Sequence, residues 1–334
     1  MGRERYWRDR RVLITGCTGI LGSRLVQDLY ERGADVIGII RDDVPRSNLV
    51  LSCYDKKITG VRGSITDYAL VERTITEYEI EVIFHLAAQT IVGTANASPL
   101  STFDSNIRGT YTVLEAARNS RFVRKIIVAS SDKAYGEKED LPYREDDPLH
   151  GLFPYDASKA CTDILARSYF HSFGMPVAVV RCGNFYGAGD LNWNRIVPGT
   201  IRSLYYGESP IIRSDGTLIR DYFYVVDASL AYIMLAEAMD DESIHGEAFN
   251  FSNEESLAVL ELVEKISHLM GKEDIRPTVL GSAGSEIRAQ TLSAAKAREV
   301  LGWVPGYSLD DGLRETIEWY TTFLDRLEAD RGAV

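Results

Sequence analysis

The stretch Arg11-Val12-Leu13-Ile14-Thr15-Gly16-Cys17-Thr18-Gly19-Ile20-Leu21-Gly22 decides how the rest of the chain is read. Apart from Arg11, its first five residues are apolar or β-branched, the pattern of a short buried strand. Gly16, Gly19 and Gly22 then follow at three-residue spacing. Leu21, Leu25 and Leu29 recur every four residues, so a helix runs on towards Gly33. Glycine permits a tight turn and lets backbone approach a ligand closely. A helix N-terminus offers N–H groups without intrahelical partners and a partial positive charge. Strand, glycine turn and helix in that order predict a dinucleotide-phosphate site, with Gly16, Thr18, Gly19, Ile20, Leu21 and Gly22 against the ligand.

Working outward, residues 35–40, 81–86, 125–129 and 177–181 are further apolar strands. Helical stretches at 110–119 and 158–173 lie between them. Near-continuous apolar strands alternating with helices predict an α/β fold, a Rossmann-type doubly wound parallel sheet covered on both faces. Beyond Gly183 the rhythm breaks into turn-rich pieces at 187–190 and 214–216, with helices expected at 256–270 and 310–327 and a buried strand at 222–226. The expected division is a dinucleotide-binding domain of residues 1–182 with 218–245, and a smaller C-terminal substrate-binding lobe of 183–217 with 246–330.

Composition bounds the function classes. The 334 residues are 45% hydrophobic and 26% charged, ordinary for a globular protein. Lys+Arg 37 against Asp+Glu 49 leaves a net charge of −12, and no long basic run is present, which argues against nucleic acid as a partner. Cys17, Cys53, Cys161 and Cys182 have no close C-x-x-C spacing, and the five histidines form no H-E-x-x-H pattern, so no metal site is expected. The cysteines read as reduced and mostly buried. No apolar run reaches the ~18 residues of a membrane span. The Arg-rich start (Arg3, Arg5, Arg8, Arg10, Arg11) lacks the apolar stretch of a secretory signal and reads as a surface arm. The expected compartment is cytoplasmic.

Two places carry chemistry. At the end of the second strand, an acidic side chain would bond ribose hydroxyls, whereas an Arg would accept a 2′-phosphate. The chain has Arg41-Asp42-Asp43 there: Arg41 leans towards NADP and Asp42 towards NAD. Tyr155 and Lys159 are four residues apart, on one face if the segment is helical. An ammonium near a phenol favours phenolate, which makes Tyr155 a base able to take a hydroxyl proton. Ser131, Asp132 and Lys133 directly follow the strand at 125–129, at the sheet end where open α/β folds hold ligands.

These residues, with Thr15-Gly-Cys-Thr-Gly-Ile-Leu-Gly22, His85-Leu-Ala-Ala88, Asn106-Ile-Arg-Gly-Thr110, Arg181-Cys-Gly-Asn184, Arg220-Asp-Tyr222 and Leu301-Gly-Trp303, resemble the extended short-chain dehydrogenase/reductases, specifically the nucleotide-sugar epimerases and dehydratases. The resemblance covers nearly the whole chain. It implies a bound NAD or NADP, a nucleoside-diphosphate-hexose substrate and a homodimer formed through helices at 106–118 and 158–170. It implies Ser131 at the sugar 4-hydroxyl, Tyr155 as base and Lys159 as its partner, with Tyr155 and Lys159 also against the cofactor. It implies Asp67 near the adenine, and Leu86, Ala87 and Ala88 along the dinucleotide. It implies Gln89, Asn184, Arg195, Arg220 and Arg288 towards the substrate, with the arginines as forks for a diphosphate.

Asp132-Lys133 is similar to the pair in CDP-glucose 4,6-dehydratases, while the segment 36–41 resembles GDP-mannose 4,6-dehydratases. That resemblance implies Asp132 as general acid at the departing 6-hydroxyl and Lys133 as base at C5. The expected activity is therefore an NDP-hexose 4,6-dehydratase. The alternatives are a 4-epimerase acting on a UDP- or GDP-linked hexose, with Asp132-Lys133 a surface ion pair, and a dinucleotide-sensing or scaffolding protein without catalysis.

Overall fold

The computed structural model describes residues 6–282 and 287–332. Its strands are β1 (Arg11–Thr15), β2 (Asp35–Ile40), β3 (Thr59–Arg62), β4 (Val82–His85), β5 (Lys125–Ala129), β6 (Val177–Cys182), β7 (Asn184–Tyr186), β8 (Ile211–Ile212), β9 (Ile219–Tyr224), β10 (Ala248–Phe251), β11 (Ser256–Ala258) and β12 (Thr278–Val279). Seven form one all-parallel sheet in the order β10-β6-β5-β4-β1-β2-β3. From β1 the chain winds one way to β2 and β3, then returns to place β4 on the other side of β1. The switch point of the topology therefore lies between β1 and β4, where open sheets bind ligands.

The apolar strands are buried on both faces because helices cover both. Val12, Ile14, Val36, Val82 and Phe84 pack into one apolar cluster, and Leu13, Ile37, Ile83, Ile126 and Val128 into another. The alternation is the two-residue period of a strand. Each fully buried aliphatic side chain stabilises by roughly 1.5–3 kcal/mol. The helix Ile20–Glu31 lays Leu21, Leu25 and Leu29 on the first cluster, as its four-residue spacing predicts.

The smaller lobe carries a three-stranded sheet, β11-β9-β7, and the β12-β8 pair. Two strand assignments differ from expectation. The segment at 222–226 is split: Ile219–Tyr224 is a strand of the small sheet, and a helix, Val225–Ala238, starts at once and packs on the large sheet's core. Residues 248–251, expected in the substrate lobe, form the seventh strand of the large sheet beside β6. Both segments are buried and rich in aromatic residues, and burial alone does not say which sheet such a segment joins. Cys17 and Cys182 are buried, Cys161 is half-buried and Cys53 is exposed. Among the described residues no helix is long and apolar enough to cross a membrane, and no His/Cys/Asp/Glu group is arranged to hold a metal ion.

Candidate active site

A cleft of about 1270 Å³ runs along the C-terminal ends of the parallel strands and between the lobes. At one end sits the glycine turn. Gly16 has φ +75°, and a Cβ on it would lie 2.8 Å from the Ala87 nitrogen. A Cβ on Gly22 would strike the Gly16 carbonyl. Two backbone segments thus meet where no side chain fits. No side chain caps the following helix, and Gly19, Ile20, Leu21 and Gly22 of its start line the cleft. That is a fitting cradle for a pyrophosphate. Thr18, Leu86, Ala87 and Ala88 line the same end, as do Arg41, Asp42, Arg46 and Ser47. Arg41 and Asp42, the two opposed cofactor determinants, are paired with each other at 2.7 Å.

The other end is built from side chains that are distant in sequence. Ser131, Lys133, Tyr155, Lys159, Asn184, Arg195 and Arg220 all line it. The helix Pro154–Phe173 starts with proline in its first turn, so Tyr155 and Lys159 fall one turn apart. Lys159 is buried, and its Nζ donates to the Ala129 carbonyl at 2.8 Å. Burial pulls its ammonium down to about 8. Tyr155 is shifted up: burial and then the Asp132 charge outweigh a hydrogen bond with Ser131 and the charge of Arg195, both of which act the other way. The phenol thus stands above its ordinary value, where the sequence predicts a lowered one. Desolvation governs Tyr155.

Asp132 is fully buried and lies outside the cleft lining. Its Oδ1 accepts from Ser131 Oγ at 2.8 Å and from Lys133 Nζ at 3.2 Å. Its Oδ2 is buried with no hydrogen-bond partner among the described residues. Lys133 Nζ also donates to Asn184 Oδ1 at 3.1 Å. Lys133 is thus the member of the pair that faces the cleft, and Asp132 holds it and Ser131 from below. Arg195 spans the cleft mouth, donating to Asp190 Oδ2 and to Thr90 Oγ1, both at 3.1 Å. Among the described residues, seven Arg and Lys side chains against two Asp line the cleft, in a chain of net charge −12. This local reversal of charge suits an anionic ligand.

Three expected contacts fall elsewhere. Asp67 is exposed and caps the helix Tyr68–Glu77, accepting from the Leu70 nitrogen at 3.2 Å. Gly63, Ser64 and Ile65 line the cleft in its stead, because an Asp placed just before a helix is captured by the helix N-terminus. Gln89 is bound back to its own segment: its Oε1 accepts from the Ile91 nitrogen at 3.0 Å, and Asn106 holds its backbone. The Arg288 side chain is exposed outside the cleft, and only its carbonyl reaches the site, accepting from Arg220 Nη1 at 3.4 Å.

Sequence reasoning missed Asp156, a buried carboxyl beside the site. Burial raises it to about 6, with Lys133 lowering and Asp132 raising it. Its only sequence signal is its position next to Tyr155. Phe185 and Tyr222 of the small sheet also line the cleft; both lie in or beside motifs of the family resemblance, which gave neither a role.

Residues 13–316 match the family described as GDP-mannose 4,6 dehydratase. The CDP-glucose 4,6-dehydratase of Salmonella typhimurium is 30% identical, over 96% of this chain and 93% of that protein. The structure of UDP-glucose 4-epimerase from Thermotoga maritima, solved with UDP-glucose, superposes with a TM-score of 0.86 at 29% identity, covering 94% of this chain and 99% of that one. The dTDP-glucose 4,6-dehydratase of Bacillus anthracis, solved with NAD, gives 0.82 at 28% identity, covering 94% and 97%. With its seven-stranded parallel sheet, glycine turn and cationic cleft, this chain belongs to the extended short-chain dehydrogenase/reductase family of nucleotide-sugar epimerases and dehydratases.

Proposed function

We propose that the chain is a nucleotide-sugar 4,6-dehydratase, converting CDP-glucose or a similar NDP-hexose to its 4-keto-6-deoxy sugar. The observation that carries this reading is the Ser131–Asp132–Lys133 cluster, hydrogen-bonded together beside Tyr155 at the sugar end of the cleft. An epimerase needs a base for one hydroxyl proton only. Loss of water also needs a group to move the C5 proton and one to protonate the leaving oxygen.

The glycine turn and the 86–88 wall fit a dinucleotide. Bound NAD or NADP would supply a reversible hydride acceptor and a positive ring charge, which favours the Tyr155 phenolate. Tyr155 takes the O4 proton, with Ser131 orienting that hydroxyl and Lys159 as the phenol's partner. Asp132 and Lys133 handle the C5 proton and the departing 6-hydroxyl. Their direct contact lets a proton pass between them, and Lys133 is the member that meets the sugar. Arg195 and Arg220, with Asn184, hold the diphosphate.

The adenosine end has Arg41 and Arg46 against Asp42, which favours NADP. Titration calorimetry on Arg41→Ala and Asp42→Ala should move the NADP/NAD preference in opposite directions, by ~1 kcal/mol each for such exposed charges. A homodimer is supported by Tyr111, Ile164 and Phe173, which stand exposed on the helices Gly109–Arg118 and Pro154–Phe173.

The second reading, an NDP-sugar 4-epimerase, is favoured by one observation: Asp132 sits beneath the cleft and not in its lining. Mass spectrometry separates the two. The protein is incubated in heavy water with CDP-, UDP-, GDP- and dTDP-hexoses. A product lighter by one water with deuterium at C5 is the expected result. An isomer of unchanged mass would mean epimerisation.

A further inference from the structure

His85, at the end of β4, is fully enclosed and lies between two threonines. Its Nδ1 is 2.9 Å from Thr15 Oγ1, and its Nε2 is 3.0 Å from Thr110 Oγ1. The neighbours dictate where its proton sits. Thr110 spends its hydroxyl proton on the Asn106 carbonyl at 2.6 Å, so its oxygen must accept from Nε2–H. Thr15 Oγ1 accepts from the Leu86 and Ala87 nitrogens at 3.1 and 3.2 Å, so its own O–H is left to donate to Nδ1. The Thr110 end calls for the neutral Nε2–H tautomer, and the donors at Thr15 agree with it, with the Leu86 N–H shared between Thr15 Oγ1 and the Thr15 carbonyl. Burial, and then the Lys159 charge, hold the ring neutral by pulling it down to about 3.

The chain of bonds continues. Asn106 Nδ2 donates to Ser158 Oγ at 2.8 Å, and Ser158 donates to the Tyr155 carbonyl at 2.6 Å. Thr162 donates to the Asn106 carbonyl at 3.0 Å. At the other end, Leu86 and Ala87 are the wall against which Gly16 closes. A buried polar chain thus joins the cleft wall beside the glycine turn to the helix that carries Tyr155 and Lys159.

We infer that His85, as the neutral Nε2–H tautomer, is a positioning residue that sets the dinucleotide wall in register with Tyr155. This rests on the reading of the cleft as a dinucleotide site. It acts through Thr15 and Thr110, not by touching a reactant; a charged ring would break the Thr15 end of the chain, and the opposite tautomer would break both ends.

Two measurements test it. Nitrogen-15 NMR of the histidine rings in the wild-type protein, with His85→Phe assigning the signal, should show Nδ1 unprotonated and Nε2 bearing the proton, unchanged from pH 8 to pH 5. A titrating ring or an Nδ1–H signal overturns the proposal. If His85→Phe does not fold, Thr110→Val assigns the ring by perturbing it and serves as the second variant. Dinucleotide affinity of wild type, His85→Phe and Thr110→Val is then measured by calorimetry with NAD and NADP. At least a tenfold weakening in either folded variant, with its melting temperature still above the assay temperature, is expected; unchanged affinity in both overturns the proposal. If the wild-type protein binds neither dinucleotide, the reading of the cleft fails first and takes this proposal with it, whatever the NMR shows.

Discussion

The two ends of the cleft are made in different ways. The end proposed for the dinucleotide is backbone: a glycine turn from one contiguous stretch, pressed against a second segment where Cβ atoms would collide. The end proposed for the sugar is side chains: Ser131, Lys133, Tyr155, Asn184, Arg195 and Arg220 arrive from four separate regions and are tuned by burial and by each other. A backbone site tolerates almost any chemistry around it but no added atom at its glycines. A side-chain site tolerates small shifts of backbone but not the loss of a functional group.

The sharpest test of that contrast is Tyr155→Phe. Removing one hydroxyl from the sugar end should lower turnover by roughly 10²–10⁴-fold while leaving dinucleotide affinity in place. A parallel loss of dinucleotide binding, read by calorimetry, would mean that the two ends are not separable. Next is Asp132→Asn, which keeps shape and removes charge beneath Ser131 and Lys133. Water loss should fall by roughly 10²-fold or more if proton transfer runs through this pair. Unchanged dehydration in the mass assay would return Asp132-Lys133 to a structural ion pair and raise the epimerase reading.

At the other end, Gly16→Ala adds a methyl at φ +75° against Ala87. It should destabilise the fold by ~1–3 kcal/mol, read by urea denaturation, and weaken the dinucleotide more than the sugar nucleotide. The smallest effect is a pH dependence at the sugar end. The native pKa of Asp156 is raised to about 6 from an ordinary 3.8. Between those values the folded state binds more protons than the unfolded one, so this group's stabilisation is full below about 4 and is lost as pH rises through about 6. The slope is at most ~1.4 kcal/mol per pH unit. Asp156→Asn should flatten the stability profile across that window, and an unaltered profile would assign the slope to another group.

Most of the fold was legible because parallel strands buried on both faces are apolar throughout and the glycine turn is local. The helix Pro154–Phe173 begins four residues ahead of the stretch 158–173 that the sequence marks as helical, and that extra turn is what puts Tyr155 and Lys159 on one helix. What the sequence could not show was competition for a residue. Asp67 looks like a ligand contact in a string of letters, yet a helix N-terminus takes its carboxylate. Gln89 carries an amide suited to a sugar, yet it folds back on Ile91. Asp132 looks like an acid in the site, yet it lies under the floor with Ser131 and Lys133 above it. Tyr155 departs from expectation for a related reason: its spacing to Lys159 is visible in the sequence, and the desolvation that raises the phenol is not.

By itself, then, the amino-acid sequence determined the strand–turn–helix start, the alternation that makes a parallel sheet and the residue types that meet at its C-terminal ends. Those depend on local backbone preference and on burial, which a one-dimensional pattern records. Only the tertiary structure decided that residues 248–251 complete the large sheet while 219–224 join the small one. It alone decided which of the charged groups face the cleft, and which proton His85 carries. Those choices turn on which polar groups find partners and which lose water, and both are set by neighbours that lie tens of residues away in the chain.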